Sequence, residues 1–352
     1  MHYGSIDEML KAANERGASD LHITVGVPPK IRIDGELIDI ADERIMPADA
    51  ENLIMPIIPD HARKQLVEMG ESDFSYAIAG VGRYRVNAFR QRGSYACVIR
   101  IVGTRIPSPQ ELGLPESVVA LTELKRGLVI VTGPTGSGKS TTLASLVDVI
   151  NSTQNVNVIT LEDPIEYLHR HNKAIVNQRE IGVDSFSYTS ALRAALREDP
   201  DVIMVGEMRD LDTISTAITA AETGHLVLST LHTTGAANTI DRIIDVFPPY
   251  QQQQIRIQLA GVLESVISQQ LLPKVFGGRV AAFEVMHTNT AIKNLIRESK
   301  THQIDNIIQT NRKLGMMMMD DAIMELYMRG EISKETALEY AQDQQNMKRK
   351  LQ

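Results

Sequence analysis

Leu128-Val-Ile-Val-Thr132 runs directly into Gly133-Pro-Thr-Gly-Ser-Gly-Lys-Ser140, and this stretch decides the fold. The first five residues have the apolar, β-branched character of a buried strand, and 139–151 has helical spacing. Between them the loop matches G-x-x-x-x-G-K-[ST] in every fixed position. Its glycines let the backbone N–H groups turn inward around phosphate oxygens, and the following helix N-terminus adds positive potential. Gly133, Pro134, Thr135, Gly136, Ser137, Gly138, Lys139, Ser140 and Thr141 are therefore the expected ATP-binding residues. Lys139 is expected to reach the β- and γ-phosphates, and the Ser140 hydroxyl to sit on Mg²⁺.

Outward from this loop, short apolar runs at 157–161, 201–205 and 225–231 alternate with helical stretches at 188–198 and 211–222. Continuous apolar strands between helices predict an α/β fold with a parallel sheet covered on both faces. Two acidic clusters fall at the carboxyl ends of these strands, where such a sheet binds its ligand. In Leu161-Glu-Asp-Pro-Ile-Glu166, Glu162 is the candidate to orient and deprotonate a water, with Asp163 and Glu166 in support. In Asp201-Val-Ile-Met-Val-Gly-Glu207, the acid after the strand is Glu207, a ligand for Mg²⁺ either directly or through water. Gly224-His225-Leu-Val-Leu-Ser-Thr-Leu-His232 places its two histidines at opposite ends of a strand. His232 is the candidate γ-phosphate sensor, with Ser229 and Thr230 at the same edge, and His225 reads equally well as a hydrogen-bonded structural residue.

The first hundred residues lack any nucleotide motif. A helix is expected at 6–16, strands at 21–25, 30–33, 36–40, 74–78, 83–89 and 95–102, and a hairpin turn at Asp34-Gly35. Pro107, Pro109, Gly113 and Pro115 interrupt regular structure and suggest a boundary. From about residue 251 onward the chain reads as mostly helical. The four methionines 316–319 read as adaptable core filler, and Lys348-Arg-Lys350 as a solvated tail.

Composition narrows the function classes. Among 352 residues, 36 Lys and Arg face 44 Asp and Glu, a net charge of -8, which argues against a whole-surface grip on nucleic acid or an anionic membrane. The one cysteine cannot build a disulfide or a multi-cysteine zinc site. No apolar run approaches the roughly 18 residues of a spanning helix, and the N-terminus lacks a signal-peptide layout. Against this acidic background, 83–105 holds Arg83, Arg85, Arg90, Arg92, Arg100 and Arg105 without one Asp or Glu. These residues read as a charged solvent face, as a source of guanidinium for phosphoryl transfer, or as a basic patch with Tyr84, Phe89 and Tyr95 stacking bases.

Taken in order, the motif at 133–141, Ile-Thr-Leu-Glu-Asp-Pro-Ile-Glu-Tyr167, Val-Gly-Glu-Met-Arg-Asp210 and Gly-His-Leu-Val-Leu-Ser-Thr-Leu-His-Thr233 resemble the four boxes of the secretion ATPase superfamily. Gly82-Arg-Tyr-Arg-Val-Asn-Ala-Phe89 is similar to its N-terminal arginine motif. Ala291-Ile-Lys-Asn-Leu-Ile-Arg-Glu298 is similar to a segment of its pilus-retraction branch, with Lys293 where arginine is usual. The resemblance implies a PAS-like domain at 1–104, a linker at 105–116 and a RecA-like ATPase domain at 117–352, with a helical region from about 289. It implies a cytoplasmic homohexamer at the inner face of the membrane. That ring would hydrolyse ATP with Mg²⁺ to power type IV pilus retraction, acting on an inner-membrane platform protein (PilC-like) and indirectly on pilin. Arg85 and Arg100 would supply catalytic arginines, with Arg83 in support, and no nucleic acid partner is expected. An accessory retraction or short extension ATPase, and a RecA-like nucleic-acid translocase, are the alternatives.

Overall fold

The computed structural model describes residues 4–33, 35–78, 80–102 and 105–352. The chain divides into two compact units, 1–105 together with Glu166–Leu168, and 106–165 together with 169–352. Both mix helices with a sheet, so the fold class is α/β as expected.

In the first unit, β1 (Asp20–Ile23), β2 (Lys30–Ile33), β3 (Glu36–Asp39), β4 (Glu71–Ile78), β5 (Gly82–Gln91) and β6 (Ser94–Val102) form an antiparallel sheet in the order β3-β2-β1-β6-β5-β4. Period-two alternation sends Tyr84, Val86 and Ala88 of β5 into a core with Leu21, Ile31 and Ile99. The helix Ile6–Glu15 supplies Ile6, Met9, Leu10 and Ala13 to the same core, the four residues whose spacing predicts a shared face. Asp34 lies outside the described residues, but β2 and β3 pair from Lys30↔Asp39 to Ile33↔Glu36, and Gly35 has φ +89°.

In the second unit, β7 (Gly127–Thr132), β8 (Asn157–Glu162), β9 (Ile175–Glu180), β10 (Val202–Val205), β11 (Leu226–Leu231), β12 (Leu263–Pro273) and β13 (Arg279–His287) form one sheet in the order β13-β12-β7-β11-β10-β8-β9. All neighbours are parallel except β12 and β13. Leu128 and Ile130 of β7 enter one core and Val129 and Val131 the other, so helices cover both faces as the unbroken apolar runs predict.

Three expectations need correction. Residues 263–287 are an antiparallel ribbon and not helix. β12 lies between β7 and β13 and buries the polar Ser265, Ser268 and Gln269, which erases the apolar alternation that marks a strand. The proline-rich stretch also holds regular turns. Pro109–Leu112 is a helical turn closed by a Ser108–Glu111 capping box, and Glu116–Val119 buries Val118. The tail folds further than its charge suggests: Gln344–Lys350 is a helix anchored by buried Met347, with Lys350 paired to Asp321. Met316 and Met319 are buried core residues, as the methionine run predicts.

Candidate nucleotide site

The helix Lys139–Thr153 starts at the loop's lysine, with Gly138 before it at φ +90°. Glycine is demanded most strongly at 133. Its φ is +142°, and a Cβ there would lie 2.2 Å from the Gln269 carbonyl oxygen and 2.7 Å from Ser137 Oγ. Lys139 is buried, and its Nζ donates to the carbonyl oxygens of Gly133 (2.9 Å) and Pro134 (3.0 Å). Ser137 Oγ and Thr132 Oγ1 are buried without a hydrogen-bond partner. Such hydroxyls beside a lysine and inward-turned amides suit the oxygens of a phosphate chain. Ser140 is exposed on the first helical turn.

The ends of β8, β10 and β11 bring the other polar residues to the same edge of the sheet. Glu162 closes β8, buried, its Oε1 accepting from Thr160 Oγ1 (2.6 Å) and Gln178 Nε2 (3.0 Å). Asp163 follows it, exposed. Gly206 continues β10 so closely against β8 that its N–H donates to the Leu161 carbonyl at 2.7 Å. A Cβ on Gly206 would sit 3.0 Å from the Tyr188 hydroxyl and 3.2 Å from the Leu161 carbonyl, which explains a glycine before the acid.

Glu207 is held from two sides. Arg209 Nε lies 2.5 Å from Oε1, and His232 Nε2 lies 3.2 Å from Oε2. The other ring nitrogen, His232 Nδ1, is 3.5 Å from Lys139 Nζ. An ammonium only donates and a carboxylate only accepts, so neutral His232 with its proton on Nε2 satisfies both neighbours. The result is a continuous chain Lys139–His232–Glu207–Arg209 from the loop to the strand end. Both Glu207 oxygens are engaged by protein groups. The oxygen-only donors Ser140 and Glu207 match the hard character of Mg²⁺. Among the described residues, no group of three or more His, Cys, Asp or Glu could hold a metal.

His225 lies at the far end of β11, its Nδ1 2.9 Å from the Ala220 carbonyl and 3.2 Å from Thr223 Oγ1. Ser229 and Thr230 lie at the His232 end but spend their hydroxyls on the carbonyls of Val205 (2.8 Å) and Gly206 (2.6 Å), fixing β11 to β10. Tyr188 was not legible as a site residue. Burial and the charges of Glu207, Asp163 and Glu162 push its hydroxyl pKa strongly up, placing it among the three acids. Glu166 belongs to the first unit.

In the first unit, Arg85 and Arg100 are direct cross-strand partners, both exposed and on one face of the sheet. Asp20 pairs next to Arg100 in register, and its Oδ1 lies 3.1 Å from Arg100 Nε. Arg83 faces the same side, paired with Val102. Arg90 stacks over Tyr95, 5.2 Å from the ring centre, so it has a structural partner. Tyr84 is wholly buried, which removes it from any base-stacking surface.

A strand, a glycine loop with a buried lysine and two carboxylates at one sheet edge define a P-loop α/β protein. The Type II/IV secretion system protein family matches residues 3–351, and the chain belongs to that family. It is 49% identical over 341 residues to the type IV pilus retraction ATPase PilT of Pseudomonas aeruginosa, covering 97% of this chain and 99% of that one. It is 46% identical over 320 residues to a twitching motility protein of Neisseria gonorrhoeae, covering 91% and 86%. A crystal structure of the pilus retraction motor PilT with bound ADP superimposes with a TM-score of 0.92 at 50% identity, covering 99% of this chain and 100% of that chain.

Proposed function

We propose that this protein is an ATP-hydrolysing motor for type IV pilus retraction, acting as a cytoplasmic homohexamer at the inner face of the membrane on an inner-membrane platform protein. The observation that carries the ATPase reading is the Lys139–His232–Glu207–Arg209 chain beside buried Glu162. The choice of pilus retraction is supported by the near full-length likeness to PilT.

In this reading the loop amides and Lys139 bind the phosphates, and His232 registers the γ-phosphate through its contact with Lys139. Glu162, its carboxylate oriented by Thr160 and Gln178, takes the proton of the attacking water. Ser140 and Glu207 would hold Mg²⁺, which would supply charge neutralisation at the phosphates. Arg85 and Arg100 stabilise the charge that develops during transfer. No helix among the described residues is long and apolar enough to cross a membrane.

Steady-state phosphate release tests the reading. Lys139→Ala is expected to lower turnover by roughly a hundredfold or more. Equally slow release by wild type and variant would remove the enzyme reading. Deleting the gene distinguishes the direction of force: loss of a retraction motor leaves surface pili abundant, whereas loss of an extension motor leaves none.

A further inference from the structure

β12 and β13 carry a row of buried polar side chains with no part in the chemistry above. Ser268 and Glu284 are directly opposite in the antiparallel pairing and so share a face. Each is 1% exposed. Ser268 Oγ accepts the N–H of Gly235 at 3.1 Å, and Glu284 Oε1 accepts the N–H of Ala236 at 2.7 Å. These two successive amides lie three and four residues beyond His232, where the chain turns into the helix Ala236–Asp245. The same Glu284 carboxylate faces the backbone of Met319, the first residue of the helix Met319–Met328.

Gln269 points to the opposite face by the period of two. It is buried, and its Oε1 accepts from Thr142 Oγ1 at 2.7 Å on the helix that follows the phosphate loop. Its Nε2 lies 2.9 Å from the Cβ position of Gly138, and its carbonyl oxygen 2.2 Å from that of Gly133. One strand therefore grips the phosphate loop on one face and the His232 loop on the other.

We infer that the β12–β13 ribbon is the element that sets His232 against Lys139, with Gln269 a positioning residue for the phosphate loop and Ser268 and Glu284 positioning residues for the histidine. The inference deepens the ATPase reading and rests on it. Gln269 acts on the bound substrate as a whole, so its loss weakens binding. Ser268 and Glu284 act on the group that meets the γ-phosphate, so their loss slows turnover.

The test pairs amide hydrogen exchange of the nucleotide-free full chain with ATP kinetics. Glu284→Gln keeps one acceptor oxygen but turns a donor toward a backbone N–H. It is expected to speed exchange at Gly235 and Ala236 and lower kcat about tenfold, with the ATP Kd changed less than about twofold. Gln269→Leu is expected to show the converse, a Kd raised about tenfold at nearly unchanged kcat. Ser268→Ala removes a single hydroxyl and gives the same reading as Glu284→Gln if that variant does not fold. Equal loss of kcat and affinity in both classes, or exchange at 235 and 236 that stays at the wild-type level, overturns the inference. If exchange rises in the variants but wild type shows no Lys139-dependent hydrolysis, the grip of the ribbon stands and the ATPase reading has failed.

Discussion

At the scale of single residues, the site depends on which atoms already have partners. Glu162 and its neighbour Thr160 stand two apart on one strand, so the sequence holds the signal for that bond: side chains at i and i+2 share a face. Gln178 and Tyr188 arrive from elsewhere in the chain, and no spacing within the acidic boxes points to them. His169 offers a separate check on the local environment. It is half-buried with Nδ1 unpartnered, and burial lowers its pKa to about 4, with Asp148 opposing. The unfolded chain therefore takes up this proton first as pH falls, and stability drains between pH 6.5 and about 4. His169→Phe, which cannot titrate, is expected to remove roughly 1–3 kcal/mol of that loss. Denaturant midpoints across this range measure it, and parallel pH curves for wild type and variant would refute it.

At the scale of elements, the parallel strands and their helices were legible because each buries both faces or one regular stripe. The helix at 211–222 has the span its periodicity predicts. Its first turn hangs on Asp210, whose two carboxylate oxygens accept from the Thr213 N–H (2.8 Å) and Thr213 Oγ1 (3.1 Å). Asp210→Ala is expected to cost about 1 kcal/mol, read as a lower urea midpoint at unchanged slope, and an unmoved midpoint would show the cap to be dispensable. β9 and the β12–β13 ribbon escaped the sequence for different reasons. β9 is an edge strand whose last four residues, Asn177, Gln178, Arg179 and Glu180, are polar, so hydrophobicity does not mark it. The ribbon hides because its buried polar groups are satisfied by partners far away in sequence, a pairing that local pattern cannot reveal.

At the scale of the whole molecule, the acidic total conceals a segregated charge. Arg85 and Arg100 face each other across a strand pair, where like charges oppose pairing, and the adjacent carboxylate is Asp20. Full-length Arg85→Ala and Arg100→Ala are each expected to lower kcat by roughly a hundredfold or more while ATP still binds. Unchanged turnover in both would return these side chains to the role of a solvated face. The four boxes gave the family and the phosphate loop. The register that sets two arginines side by side belongs to the pairing of β5 with β6, which no local motif encodes. That register also gathers positive charge on one face of the first unit's sheet. Two guanidinium groups at paired positions, one of them shared with Asp20, make a cationic spot in an acidic chain, and it costs little to build because both side chains lie in solvent.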